Sequence, residues 1–173
     1  ENWNSLTYSD GFAFGYGSYR DEEYNGKIYK VATQHNINPK TIRHIVGIPN
    51  HVRAWRRTIY FELGGHNRGL SVADDYELVV RTFLHTKMCK IPKLGYIQFI
   101  YNNNGKQNTH NLSRADIQRR VRTISSYYNE DIRRRFEEFG VDDWAYKENP
   151  NYPIYTKSKF GKDEGCVNIT YIE

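Results

Sequence analysis

The sequence predicts an α/β domain built of stacked layers of helices and strands. Near the N-terminus, Phe12, Phe14 and Tyr16 alternate with small residues, the period-two spacing of a strand. Two later segments carry apolar residues three or four positions apart, which is helical spacing. Strand-like and helix-like segments then follow one another along the chain, which is the pattern of α/β layering.

Phe12 to Tyr16 and Lys27–Ala32 flank Asn25-Gly26, a strong hairpin turn signal. Pro39 opens a helical turn over Lys40–Val46, ended by Gly47 and Pro49. Val52, Trp55, Ile59 and Leu63 predict a helix over Val52–Leu63, stopped by Gly64-Gly65. A polar loop, His66–Ser71, leads to a second helix that starts at Asp74-Asp75. Its expected buried side holds Tyr76, Val79, Val80, Phe83 and Leu84. Met88–Ile91 and Tyr96–Tyr101 read as short strands on either side of Pro92, and Asn102–Asn111 as a polar loop. Ser113-Arg114-Ala115-Asp116 resembles a capping box. It opens the longest expected helix, with Ile117, Val121, Ile124, Tyr128, Ile132, Phe136 and Phe139 on one face and arginines on the other. Beyond Val141 the chain reads as loop, with only Cys166–Ile172 strand-like.

Composition narrows the classes. The 173 residues are 38% hydrophobic and 26% charged, and mean hydropathy is −0.82. The longest apolar stretches, around Leu78–Leu84 and Gly95–Tyr101, fall far short of the roughly 18 residues of a membrane span. Fifteen Tyr, eight Phe and three Trp supply a core, which argues against disorder. Cys89 and Cys166 make neither a metal ligand set nor a disulfide framework, so a reduced cytoplasmic setting is expected, with one bridge left open. A net charge of +5 invites anionic partners. Glu1 is no initiator and no leader precedes the first element, so the chain is expected to be a piece of a longer protein. No glycine-rich phosphate loop follows the first strand, which argues against Rossmann and Walker-type nucleotide sites.

One stretch is more specific. Pro49-Asn50-His51-Val52-Arg53-Ala54-Trp55-Arg56-Arg57 continues to Leu63-Gly64-Gly65-His66-Asn67. Behind it stands Val72-Ala73-Asp74-Asp75-Tyr76-Glu77-Leu78-Val79-Val80-Arg81. An arginine-bearing segment, a Leu-Gly-Gly turn, a polar loop and an acidic pair opening an apolar helix together resemble the second half of a family 2 glycosyltransferase domain. The resemblance spans about Asp10 to Asp143 and is most specific over Leu63–Arg81. It implies a three-layer GT-A fold, of which this chain holds the acceptor-side half (residues 1–143). Residues 144–173 are then a linker or tail toward another domain. It also implies a nucleotide-sugar donor, a glycan acceptor and a divalent ion, Mn2+ or Mg2+, normally held by an Asp-x-Asp motif.

No Asp-x-Asp occurs here. The acidic groups, Asp21-Glu22-Glu23, Asp74-Asp75, Glu137-Glu138, Asp142-Asp143 and Asp163-Glu164, are all adjacent. The donor half is therefore expected in a missing N-terminal part of the same parent chain or in a second polypeptide, and this chain alone should bind donor poorly or not at all.

Inverting transfer needs a base for the acceptor hydroxyl. A carboxylate at a helix N-terminus stays ionised in the helix dipole. Neighbouring helical residues point about 100° apart, so Asp74 and Asp75 cannot share one role. The resemblance places the base at Asp75; the plain alternative is that both are helix caps. His51, Arg53, Arg56 and His66 lie on the part that resembles the acceptor side, where they are candidate substrate-binding residues. Arg57 reads as a solvated face and Trp55 as core. His110, in the loop before the long helix, is the candidate metal ligand, with a solvated loop histidine as the alternative. His35, His44 and His85 read as structural or exposed.

Two further classes compete. One is a basic, tyrosine-rich nucleic-acid module. No known nucleic-acid-binding signature appears, and Glu130, Asp131, Glu137 and Glu138 are spaced to neutralise the arginines within the helix. The other is a non-catalytic structural or oligomer-forming module, because a long amphipathic helix without its neighbouring sheet would expose an apolar face.

Overall fold

The computed structural model describes residues 6–16, 28–33, 36–44, 48–49, 51–100 and 114–148. Strands β1 (Leu6–Tyr16), β2 (Ile28–Thr33), β3 (Arg53–Trp55) and β4 (Met88–Ile100) form one mixed sheet. β1 is its centre. Along one edge it pairs in parallel with β4, from Leu6↔Met88 to Tyr16↔Ile100. β2 and β3 divide the other edge, both antiparallel: β3 takes Leu6 to Tyr8 and β2 takes Gly11 to Gly15.

The helices are α1 (Arg57–Glu62), α2 (Asp74–His85), α3 (Arg114–Tyr127), α4 (Asn129–Glu138) and α5 (Trp144–Glu148), with a 3₁₀ turn at Thr41–Arg43. α2 is the central helix. Tyr76, Leu78, Val79, Val80 and Phe83 on it are fully buried, and all but Leu78 share a cluster with Ile42, Met88, Ile117, Val121, Ile124, Ile132 and Phe136. Burying side chains of this size stabilises by about 1.5–3 kcal/mol each. The Tyr76 hydroxyl satisfies itself on the Ile42 carbonyl at 3.0 Å.

Several expectations are corrected. The helix expected over Val52–Leu63 starts only at Arg57. Residues 53–55 instead pair with β1, a partner 47 residues away in sequence (Thr7↔Ala54) that local periodicity cannot reveal. Val52, expected on the buried stripe, is 49% exposed. Within the turn expected over Lys40–Val46, of which residues 45–46 lie outside the described residues, Thr41–Arg43 form a 3₁₀ helix, held by the Asn38 side chain accepting from the Lys40 and Thr41 amides.

The two strands expected around Pro92 are one strand. Ser9↔Ile91 is followed by Gly11↔Leu94, so β4 carries an extra residue just where proline can donate no ladder bond. The longest helix is divided at Tyr128 into α3 and α4. The apolar stripe survives the division, because Tyr128 N–H still bonds Ile124 O and Ile132 N–H bonds Tyr128 O.

The buried stripe of α3 also removes the reason given for an exposed apolar face: Ile117, Val121 and Ile124 are covered within this chain. Packed structure continues past residue 143 into α5, where Ala145 is fully buried. The hairpin strands pair antiparallel as expected, while the Asn25-Gly26 turn, Cys166–Ile172 and Asn102–Asn111 lie outside the described residues.

A buried ion pair fastens the far side of the core. Arg43 forks onto Asp143 at 2.6 and 3.0 Å, and its Nε donates to Asn129 Oδ1 at 2.7 Å. Its remaining donors reach the carbonyls of Pro39 and Asn129. Such a pair is tolerated inside only when every donor is used, and here it is.

Candidate functional site

The site is built at the N-terminus of α2, where the first turn carries Asp74, Asp75 and Glu77. Each has a different basic partner. Asp74 meets His66, Asp75 meets Arg53 and Glu77 meets Arg81. The angular separation of residues 74 and 75 explains the first two: successive helical side chains face different neighbours.

β3 aims Arg53. Strand residues two apart share a face, and Arg53 and Trp55 both turn inward while Ala54 is exposed. Arg53 reaches Asp75, and Trp55 Nε1 donates to Thr82 Oγ1 at 2.9 Å. Asp75 and Thr82 are two turns apart on α2, so β3 lies along the helix rather than across it. Trp55 packs against the core, as expected.

Asp75 is held from two sides and still meets solvent. Its Oδ2 accepts from Arg53 Nη2 at 2.8 Å and its Oδ1 from the Tyr76 amide at 2.8 Å. The side chain keeps 37% of its surface, whereas Arg53 keeps 6%. A carboxylate has about four lone-pair positions, so two remain open. Burial pushes the Asp75 carboxyl up, but the Arg53 charge and hydrogen bond, the Tyr76 amide and His51 together hold it below the usual carboxylate range.

His51 is the third member of this group. Its ring sits 5.1 Å from that of Tyr96. Burial first and Arg53 second push its imidazole below the ordinary value, against the pull of Asp75. A ring so placed favours the neutral form.

Neither aspartate caps the helix in the ordinary way. The cap position is Ala73, which has a left-handed φ of 61° and offers no side-chain bond. A non-glycine residue there costs about 1–2 kcal/mol. It is held by burial, at 6% exposure.

A second flank of α2 forms an open cleft of about 390 Å³ lined by Gly64, Gly65, His66, Asn67, Arg68, Glu77 and Arg81. His66 Nδ1 lies 2.9 Å from Asp74 Oδ2, and its ring leans on Trp55 and Tyr60. The diglycine bend that ends α1 has positive φ at both positions. Arg81 secures it, donating to the Leu63 and Gly65 carbonyls while holding Glu77. Tyr128 completes that network through a 2.9 Å bond to Glu77, and burial followed by this bond pushes its phenol up to about 12.

Thus the structure gathers His51, Arg53 and Asp75 on one side and His66 and Asp74 on the other. Arg53 is a partner of the carboxylate, not a free substrate-binding group. Arg56 and Arg57 are exposed, Arg57 over the Phe61 ring, and neither contacts Asp75. His110 lies outside the described residues. Among those residues, no three His, Cys, Asp or Glu side chains converge where a cation would sit. The Arg53 charge beside Asp75 also opposes one at that carboxylate.

Tyr96 and Arg68 carry no site role in the sequence, and neither do Tyr128, read there as part of an apolar stripe, or Arg81, at the end of the quoted stretch. Only the four-residue spacing of Glu77 and Arg81 carried a signal. No protein-family profile, curated protein or solved structure matches this chain. No helix among the described residues is long and apolar enough to cross a membrane.

Proposed function

We propose that this chain is the acceptor-side part of an inverting, family-2-like glycosyltransferase of GT-A type, with Asp75 as the general base. The observation that carries the reading is the Asp75 carboxylate itself: ionised, partly exposed, and aimed by Arg53 at the mouth of a twelve-residue helix. The acceptor hydroxyl would attack the anomeric carbon of a nucleotide sugar. Its oxygen forms the new glycosidic bond as the bond to the nucleoside diphosphate breaks, and its proton passes to Asp75.

A depressed carboxyl suits this step. An alcohol becomes strongly acidic only as it bonds to the sugar carbon, so a weak base that is always ionised is sufficient. Arg53 Nη2 holds one oxygen, so an open lone pair has a defined direction. His51, whose ring meets that of Tyr96, acts on this carboxylate from one side.

The charge pattern supports this reading over a nucleic-acid module. Arg119 pairs with Asp116, Arg133 with Glu130 and Glu137, Arg134 with Asp131 and Arg135 with Glu138. The basic charge of α4 is thus neutralised along that helix itself, and α3 adds the pair Arg119–Asp116. A filter-binding assay with single-stranded RNA at two salt concentrations tests the rival: tight binding that falls steeply with salt would favour it. The direct test of the enzymatic reading is the Asp75→Asn variant in the full-length protein.

A further inference from the structure

Helix α1 has six residues and buries none of them. Packing of its own therefore does not hold it, and an isolated helix this short is unstable in water. Its end is nevertheless sharply defined. The Gly64 amide donates to the Phe61 carbonyl and the Gly65 amide to the Tyr60 carbonyl, the paired bonds of a left-handed glycine cap. The Leu63 and Gly65 carbonyls beside this cap both accept from one side chain, Arg81.

Arg81 is fixed in turn. Its Nε and Nη2 fork onto Glu77 at 2.7 and 2.6 Å, and the Tyr128 hydroxyl donates to the same carboxylate at 2.9 Å. The Glu77 side chain is 7% exposed, so its charge depends on these partners. The guanidinium spends Nε on Glu77, Nη2 on Glu77 and Gly65, and Nη1 on Leu63. A single ammonium cannot reproduce that planar spread.

His66 follows the second glycine directly. Its amide donates to the Tyr60 hydroxyl, its ring leans on Trp55 and Tyr60, and its Nδ1 faces Asp74. An ionised carboxylate only accepts, so Nδ1 carries the proton and Nε2 keeps its lone pair. The direction of that lone pair is set by Asp74 and by the bend that carries the residue.

We propose that Arg81 is a positioning residue: locked by Glu77 and Tyr128, it fixes the diglycine bend and, through the bend, the His66 ring. That His66 then meets the acceptor rests on the reading of Asp75 given above; the fixing of the ring does not.

Arg81→Lys keeps a cation beside Glu77 and loses the fork onto the two carbonyls. By NMR of the intact chain, the His66 ring resonances should shift in this variant. Exchange at the Gly64 and Gly65 amides should quicken by about tenfold or more, as loss of one charge-assisted hydrogen bond predicts. The amides of Val79 and Val80, on the buried face of α2, should quicken less. Tyr128→Phe, which removes only one donor to Glu77, should produce a smaller change of the same kind. It decides the matter if Arg81→Lys does not fold.

An unmoved His66 ring with unchanged exchange at the bend overturns the proposal. So does equal quickening at Val79 and Val80, which marks a general loss of stability. In the full-length protein, Arg81→Lys should raise KM for the hydroxyl acceptor more than it lowers kcat, and a fall in kcat with KM unchanged overturns the link to the acceptor. Turnover that survives Asp75→Asn would remove the Asp75 reading, while the ring and exchange results still decide the positioning.

Discussion

Arg53 Nη2 donates to Asp75 Oδ2 at 2.8 Å, and with the Trp55–Thr82 bond it joins the sheet to the helix that carries the proposed base. Arg53 is almost wholly enclosed while the carboxylate it holds still meets solvent. The pair is therefore a mount with one working face, and what happens when the mount is removed is predictable.

Arg53→Met leaves the burial that pushes the Asp75 carboxyl up and removes the largest influence holding it down. The acid limb of the pH–rate profile should move to higher pH. In stability the sign is fixed by the depressed folded value: the Arg53–Asp75 contribution is fully present above the ordinary carboxyl value and is lost as pH falls through the folded one. The difference in unfolding free energy between parent and variant should thus be greatest above about pH 5 and shrink with acidification. Chemical denaturation at a series of pH values measures it.

The diglycine bend separates two kinds of glycine. Both have positive φ, so alanine at either costs about 1–2 kcal/mol. A Cβ at Gly64 would meet nothing, whereas at Gly65 it would come within 2.9 Å of the Tyr60 ring. Gly65→Ala should accordingly destabilise more than Gly64→Ala in urea denaturation. It should also disturb the His66 ring, which Tyr60 faces.

The Arg43–Asp143 pair gives a prediction far from the site. The two side chains are 0% and 4% exposed. Asp143→Ala strands a buried guanidinium and should cost about 3–5 kcal/mol. Replacing both partners with apolar residues, Arg43→Met with Asp143→Leu, should cost less than the single change. Equilibrium unfolding of the two variants decides it.

Much of this architecture was legible where the signal is local. The buried face of α2 follows from Tyr76, Val79, Val80 and Phe83, and the diglycine stop from Gly64-Gly65. The division of roles between Asp74 and Asp75 follows from helix geometry alone. What could not be read depends on distant partners. Residues 53–55 carry a helical apolar spacing, yet β1 provides a ladder for them. Pro92 looked like a strand boundary, yet a bulge absorbs it.

Arg53 illustrates the same limit at the site. Three arginines on one segment are equivalent in sequence, and only the strand's alternation selects residue 53 to face α2. The spacing of Glu77 and Arg81 shows their pairing, but not that Arg81 also holds carbonyls 16 and 18 residues away.

Turnover of the full-length protein carrying Asp75→Asn, assayed with a nucleotide-sugar donor and a hydroxyl acceptor, tests the central claim most directly. Asparagine preserves the shape of the side chain and removes its capacity to take a proton. Loss of a positioned base predicts a fall of about 10²–10⁴ in turnover with donor affinity retained. Turnover equal to that of the parent would contradict the assignment and remove residue 75 from the chemistry.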